Sequence, residues 1–257
     1  MTGWQVAVAD KVDAELLDAL FEDRVAAVRI PNFISRQAAE AAVQAVEAHG
    51  FDYYQDVEPP IGRIGITQYE HRLEGMGAYF ATAAAADRRR RAVLGADGDL
   101  LQKVLGHVGT AWNHPVGTAC NADGAEYFAG LVRIINEALL HCDWAPHDAP
   151  GWSIASVTGQ ITWNIYCNLA AEGGTTVVYR RGWDASAEEF AVDGSYGYDP
   201  RLVEGVPSVR IEPRQGDLTF FNSRNFHRVE ASSPDARRIS VSSFIGRMPS
   251  GDLIAWS

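Results

Sequence analysis

From about residue 131 onward the chain breaks into short apolar or alternating runs separated by Gly, Pro, Asn or Asp, the pattern of half-buried strands. The runs fall at 131–135, 139–143, 154–169, 175–179, 209–211, 217–221, 226–229 and 239–245. Eight short strands of this kind predict a jelly roll. Before them the periodicity is mostly helical, around one early apolar strand at 25–30 that Pro31 stops. Ser35 is placed to cap a helix over 36–49, in which Ala39, Val43 and Val46 form one apolar stripe before Gly50 ends it. Pro59, Pro60 and Gly62 mark a loop leading into a short strand at 62–66. A second helix is expected over 77–94, with the four arginines at 88–91 on its solvated faces. The polar, weakly periodic stretch 185–204 is expected to be an insertion between strands, and loops of that length often act as lids.

At 257 residues the chain is long enough for one sizeable core, so the expected division is a single domain over 1–257. Residues 1–130 would form a mostly helical part and residues 131–247 the jelly-roll core. Hydrophobic residues make up 47% and charged residues 21%, as in ordinary globular chains. A net charge of −11 argues against a nucleic-acid partner, because a polyanion needs a basic surface to bind. Small molecules are the expected partners. Cys120, Cys142 and Cys167 form no CxxC pair, which points to reduced thiols. The first residues lack a basic segment followed by an apolar run, and no later stretch is long and apolar enough for a membrane span. A cytoplasmic protein with no membrane partner is therefore expected.

The candidate chemistry lies within the predicted strands. Residues i and i+2 of a strand share a face, so His141 and Asp143 can enter the barrel together while Cys142 points away. His227, on a later strand, would complete a set of two imidazoles and one carboxylate, which occupies one face of an octahedral iron(II) and leaves three positions open. With a turn at Ser233 and Pro234, His227 would lie opposite Ser240 and Val229 opposite Arg238, placing Arg238 and Ser240 on the histidine's face. A guanidinium there can take a carboxylate in a bidentate pair. Along the strand at 160–166, Gln160, Thr162, Asn164 and Tyr166 alternate with Ile161, Trp163 and Ile165, so the polar set is expected to face the pocket. Gln160, Thr162 or Asn164 would then contact a bound carboxylate, or simply satisfy one another. Arg63, His71 and Tyr166 are candidates to border a substrate, and Arg133 and Arg180 to bind its carboxylate; structural ion pairs are the competing role for the arginines. His147-Asp148-Ala149 is a rival metal motif, placed between Pro146 and Pro150 in an expected loop.

The order His141-Cys142-Asp143, Gly173-Gly174, Gly216-Asp217-Leu218, His227 and Arg238-Ile239-Ser240 resembles the iron(II)- and 2-oxoglutarate-dependent oxygenases with a double-stranded β-helix core. The resemblance covers roughly 131–247. The strand at 160–166 and the residues His141 to Pro146 are most similar to bacterial enzymes acting on amino acids and natural-product intermediates. The resemblance implies that His141, Asp143 and His227 hold iron, that Arg238 and Ser240 anchor 2-oxoglutarate, and that dioxygen is the oxidant. It also implies oxidative decarboxylation to succinate coupled to attack on an unactivated C–H bond. Halogenating members carry Ala or Gly in place of the acid, so Asp143 points to hydroxylation. Halogenation, desaturation or ring formation on the same scaffold, or a non-catalytic cupin-like binding protein, are the alternatives.

Overall fold

Strands and helices alternate in the first part of the chain. β1 (Val6–Val8), α1 (Ala14–Phe21), β2 (Ala27–Ile30), α2 (Arg36–His49), β3 (Asp52–Tyr53) and β4 (Gly62–Ile64) are followed by α3 (Met76–Leu94), α4 (Leu100–Gly109) and β5 (Val116–Thr118). Strands then dominate: β6 (Leu131–Ile134), β7 (Ala138–His141), the short α5 (Ala145–Asp148), β8 (Gly159–Asn168), β9 (Thr176–Gly182) and β10 (Ser208–Ile211). The chain closes with β11 (Leu218–Phe221), β12 (Asn225–Val229), β13 (Ile239–Arg247) and β14 (Leu253–Trp256). This computed structural model describes residues 3–55, 57–72, 74–95, 99–234 and 236–257.

Two sheets make the core, as expected for a double-stranded β-helix. The major sheet runs β1-β2-β11-β8-β13-β6-β4-β3, with β14 extending from β13 to β5, and the minor sheet runs β10-β9-β12-β7. Ala27 and Phe221 of the major sheet pack with Val178 and Ile211 of the minor sheet, so the two face one another. The first part of the chain is thus more than a helical brace. Five strands formed before residue 131 join the major sheet, and β14 extends it past residue 247. Most of these strands span only two to four residues, too short for alternation to distinguish them from loop.

The expected hairpin between β12 and β13 does not form. β12 pairs with β7 and β9, whereas β13 pairs with β6, β8 and β14. His227 therefore lies opposite His141 and Val178 rather than Ser240. The link between the two strands crosses from one sheet to the other, which a local pairing argument does not anticipate.

Helices cover the outer face of the major sheet. Asp13 caps α1 by accepting from the Leu16 amide, and Ser35 caps α2 by accepting from the Ala38 amide, as its position predicts. Leu17 and Leu20 of α1, Ala39 and Val46 of α2, and Leu101 and Val104 of α4 join the layer of Ile161, Trp163, Ile165 and Phe220. The apolar set of β8 consequently faces the helices and the polar set faces the interior.

The arginine run departs from expectation at one position. Arg90 has no exposed surface; it donates to Asp99 at 2.5 and 2.9 Å and to Asp87 at 2.8 Å. Asp99 also caps α4 through the Leu101 amide, so this guanidinium ties α3 to α4. Arg90→Ala is expected to destabilise the protein by about 3 kcal/mol, since deleting one member of a buried pair strands the other's charge. The exposed Arg91→Ala should change stability by only a few tenths of that. Urea unfolding of both variants measures the difference, and equal midpoints would reject the structural role of Arg90.

Candidate active site

Neighbouring minor-sheet strands bring the two histidines together. His141 ends β7 and His227 sits in register with it on β12, their ring centroids 4.2 Å apart. Each ring is fixed by a backbone carbonyl two residues earlier, His141 Nδ1 by Leu139 at 2.7 Å and His227 Nδ1 by Asn225 at 2.9 Å. A carbonyl only accepts, so Nδ1 carries the proton and the Nε2 lone pair is left for a metal.

Asp143 lies just beyond the end of β7, so a shared strand does not hold it in place. Its amide donates to the Ser223 carbonyl at 2.9 Å, and its own carbonyl accepts from Gln160 Nε2 at 3.0 Å and Ser223 Oγ at 3.2 Å. Gln160 Oε1 in turn accepts from the Ala145 amide at 2.9 Å. These bonds aim the carboxylate at the imidazoles: Asp143 Oδ2 is 3.4 Å from His227 Nε2 and 3.9 Å from His141 Nε2. One potential ligand atom from each of the three residues falls within 4.8 Å of the others. Two neutral nitrogens and one carboxylate at this spacing fit an iron(II) ion.

The charges agree with that role. Burial, helped by the neighbouring His227, pushes His141 down to about 4, which keeps the ring neutral and able to bind metal. Burial alone would raise the Asp143 carboxyl; contact with His227 and the fields of His141, His227 and Arg133 outweigh it and hold the group at about 2. His141 and Asp143 therefore need no proton removed at neutral pH before metal enters.

Arg238 lies immediately before β13 and is only 3% exposed. Its NH2 reaches Thr176 Oγ1 at 3.4 Å and its guanidinium lies 5.1 Å from the centre of the Tyr166 ring. No carboxylate pairs with it among the described residues, and its Nε and the nearby strand's Ser240 Oγ are buried without hydrogen-bond partners. Burial accordingly lowers its proton affinity. A buried cation and hydroxyl left unsatisfied fit an incoming carboxylate. The Gly173-Gly174 motif makes room for them. Both residues have positive φ; a Cβ on Gly174 would lie 3.0 Å from Arg238 Cδ, and one on Gly173 would collide with the Ala231 carbonyl oxygen.

Other sequence candidates take different positions. Gln160 braces the Asp143 loop, so its amide groups are engaged away from the expected cosubstrate contact. Thr162 Oγ1 donates to the Ser243 carbonyl at 3.3 Å, which likewise satisfies it structurally. Asn164 remains on the inner face, in register with Ser242 and Thr219. Tyr166 is fully buried beneath Arg238 with its hydroxyl on Thr219, and it does not line the cavity described next. Arg63 forms an ion pair with Glu70 and lies near Asp52, the structural alternative for that residue. His71 bonds its own turn at Thr67 and packs edge-on against Tyr79. His147 stacks on Trp183 at 4.1 Å and lies outside the triad.

His141 and Asp143 open onto a cavity that also touches Tyr69, Tyr196, Asp148 and Phe244. Tyr196 comes from the polar insertion, which folds into 3-10 turns at Ala185–Phe190 and Pro200–Val203. Its hydroxyl accepts from the Leu139 amide at 2.9 Å, and its ring stands 5.6 Å from His141. The insertion thus packs beside His141. Burial and the nearby Asp143 charge push the Asp148 carboxyl up to about 7. In the sequence Asp148 stands out only within the rival motif at 147–149; its place beside Asp143 depends on a cavity assembled from distant segments.

The model of the family described as carrier-protein-independent halogenase WelO5 matches residues 10–252. A protein from Purpureocillium lilacinum, "Leucinostatins biosynthesis cluster protein S", is 38% identical over 207 residues, covering 77% of this chain and 84% of that one. The L-gamma-glutamyl-L-propargylglycine hydroxylase of Streptantibioticus cattleyicolor is 30% identical over 250 residues, covering 94% and 91% of the two chains. Among solved structures, an N-substituted L-amino acid dioxygenase from Burkholderia ambifaria aligns over 95% of this chain and 91% of that one, with TM-score 0.66 and 15% identity, a likeness of fold. The chain belongs to the WelO5 family and is an enzyme of the iron(II)- and 2-oxoglutarate-dependent dioxygenase superfamily.

Proposed function

We propose that this enzyme hydroxylates an unactivated C–H bond of a small amino-acid-like or natural-product substrate, with iron(II), 2-oxoglutarate and dioxygen. The observation that carries the reading is Asp143, present, half-buried and aimed at both histidines. When bound, iron with 2-oxoglutarate and dioxygen would supply the oxidation: one oxygen atom goes into succinate as the keto acid loses carbon dioxide, and the other replaces hydrogen on the substrate as a hydroxyl.

The chain's own residues position and exclude. His141, Asp143 and His227 hold the metal, and Arg238 with Ser240 takes the distal carboxylate of the cosubstrate. The Gln160 and Ser223 bonds keep the Asp143 loop from shifting as ligands exchange. Tyr196 and the insertion shield the site from water, which limits turnover without substrate. The hydroxylase relative supports a substrate built from amino acids.

The family description favours halogenation as a second reading. A halide would need the position that Asp143 fills, and this carboxylate weighs against it. The test is succinate formation from 2-oxoglutarate in a panel of amino acids and dipeptides, with and without a chelator. Strictly iron-dependent succinate release with a product one oxygen heavier is expected, whether or not chloride is present. A chlorinated product from the natural enzyme would favour the second reading, and the absence of any succinate would sink both.

A further inference from the structure

The cavity beside the triad contains a cation for which neither iron nor the cosubstrate accounts. Arg133 lines it together with His141, Asp143, Tyr69, Tyr196 and Phe244, whereas Arg238 and Ser240 are absent from its walls among the described residues. Arg133 sits on β6, in register with Ser240 of β13 on one side and Arg63 of β4 on the other. Its neighbours Val132 and Ile134 join the helix-covered layer, so alternation sends Arg133 inward.

The two arginines in register differ in one decisive way. Arg63 is neutralised by Glu70, with Asp52 also close by. Arg133 has no carboxylate partner among the described residues, and its Nε is buried with no hydrogen bond. The Phe244 ring, 6.0 Å away, packs against the guanidinium without using its in-plane donors. Arg133 lines the same cavity as the ligand residues His141 and Asp143, which places it on the side where a substrate would meet the metal. A partly buried guanidinium without an anion is unfavourable unless one arrives.

Two carboxylates of 2-oxoglutarate are already placed by the reading above, one on the metal and one at Arg238. We propose that Arg133 binds a carboxylate of the substrate, so that the enzyme takes small molecules with a free carboxylate and an apolar body held against Tyr69, Tyr196 and Phe244. The proposal rests on the hydroxylase reading and adds a residue that selects the substrate. Arg133 touches substrate directly, and its fixed position sets how far from the carboxylate the attacked carbon lies.

The test uses the iron(II) enzyme with 2-oxoglutarate under anaerobic conditions, so that binding is read by calorimetry without turnover. The probes are L-leucine, N-acetyl-L-leucine and γ-glutamyl-L-leucine, each as the free acid and as its primary amide. At least one acid is expected to bind about tenfold or more tightly than its amide, the size of a lost charge-assisted contact. Arg133→Gln should erase that difference by weakening the acid alone, and Arg133→Lys should retain part of it. The Kd for 2-oxoglutarate, followed by the absorbance of its iron chelate, should stay the same in both variants. Equal binding of acids and amides by the natural enzyme, or no binding of any probe, overturns the proposal without needing a variant. So does an acid preference that survives Arg133→Gln, or a loss that falls on 2-oxoglutarate instead. Failure of the natural enzyme to bind iron(II) or 2-oxoglutarate would be a different result, removing the oxygenase reading itself.

Discussion

Asp143→Ala is expected to reduce hydroxylation to below about one-hundredth of the natural rate, because even an outer hydrogen bond to a metal ligand is worth 10–100-fold. The substitution removes the one carboxylate of the set and leaves only the imidazoles of His141 and His227. Iron affinity should fall together with activity, and competition against a chromophoric chelator measures it directly. The fold should survive, since Asp143 is held in its loop by backbone groups that alanine keeps: its amide to Ser223 and its carbonyl to Gln160. Unchanged iron affinity and activity would reject Asp143 as a ligand. The same variant bears on the halogenase reading, because it opens the position a halide would fill. Chlorination by Asp143→Ala in chloride, with none by the natural enzyme, would show that this carboxylate alone sets the outcome.

Arg238→Ala is expected to raise the 2-oxoglutarate Kd by about 30-fold or more, the effect of losing about 2 kcal/mol or more from a buried charge pair. The structural reason is that Arg238 has a ring beneath it and a threonine beside it but no protein anion. Stability should move the other way. In the protein without cosubstrate this cation is desolvated and uncompensated, so Arg238→Met, which refills most of the volume, should leave the melting temperature unchanged or higher. Added 2-oxoglutarate should then raise the melting temperature of the natural protein but not of the variant. An unaltered cosubstrate dependence would move the anchor elsewhere. Arg237 is a poor replacement, because it is exposed and lies near Glu47 on the surface. Arg133 would become the cosubstrate's arginine, and the substrate assignment made for it would fall with that of Arg238.

The longer strands of the second half were legible because they carry enough alternating positions to specify a face, and the four-residue ones because Gly, Pro, Asn or Asp set off their apolar runs. β8 is the clearest case: Ile161, Trp163 and Ile165 go to the helices while Gln160, Thr162 and Asn164 turn inward. The triad was legible for a related reason, since its residue types are rare in such strands and have specific chemistry. What pairing along the chain could not reveal was which strands share a sheet. The β12–β13 hairpin is locally plausible, yet the chain crosses between sheets there, so Arg238 and His227 come from opposite sheets. Gln160 shows the same limit on a smaller scale. Its polarity marks it as inward, but its role depends on the backbone of Asp143, which only the fold brings within reach. Arg90 was misjudged because its partners are divided between its own helix and the cap of the next.

The crossing between sheets has a mechanical consequence. Both histidines belong to the minor sheet, whereas Ser240 belongs to a central strand of the major one and Arg238 immediately precedes that strand. A dicarboxylate held by metal at one end and by Arg238 at the other would act as a removable crosslink across the sandwich. Iron alone would stiffen one sheet, while the cosubstrate would clamp the pair and set their separation. Each catalytic cycle would end by converting that long linker into succinate, one carbon shorter, so that release of the clamp would be built into the chemistry.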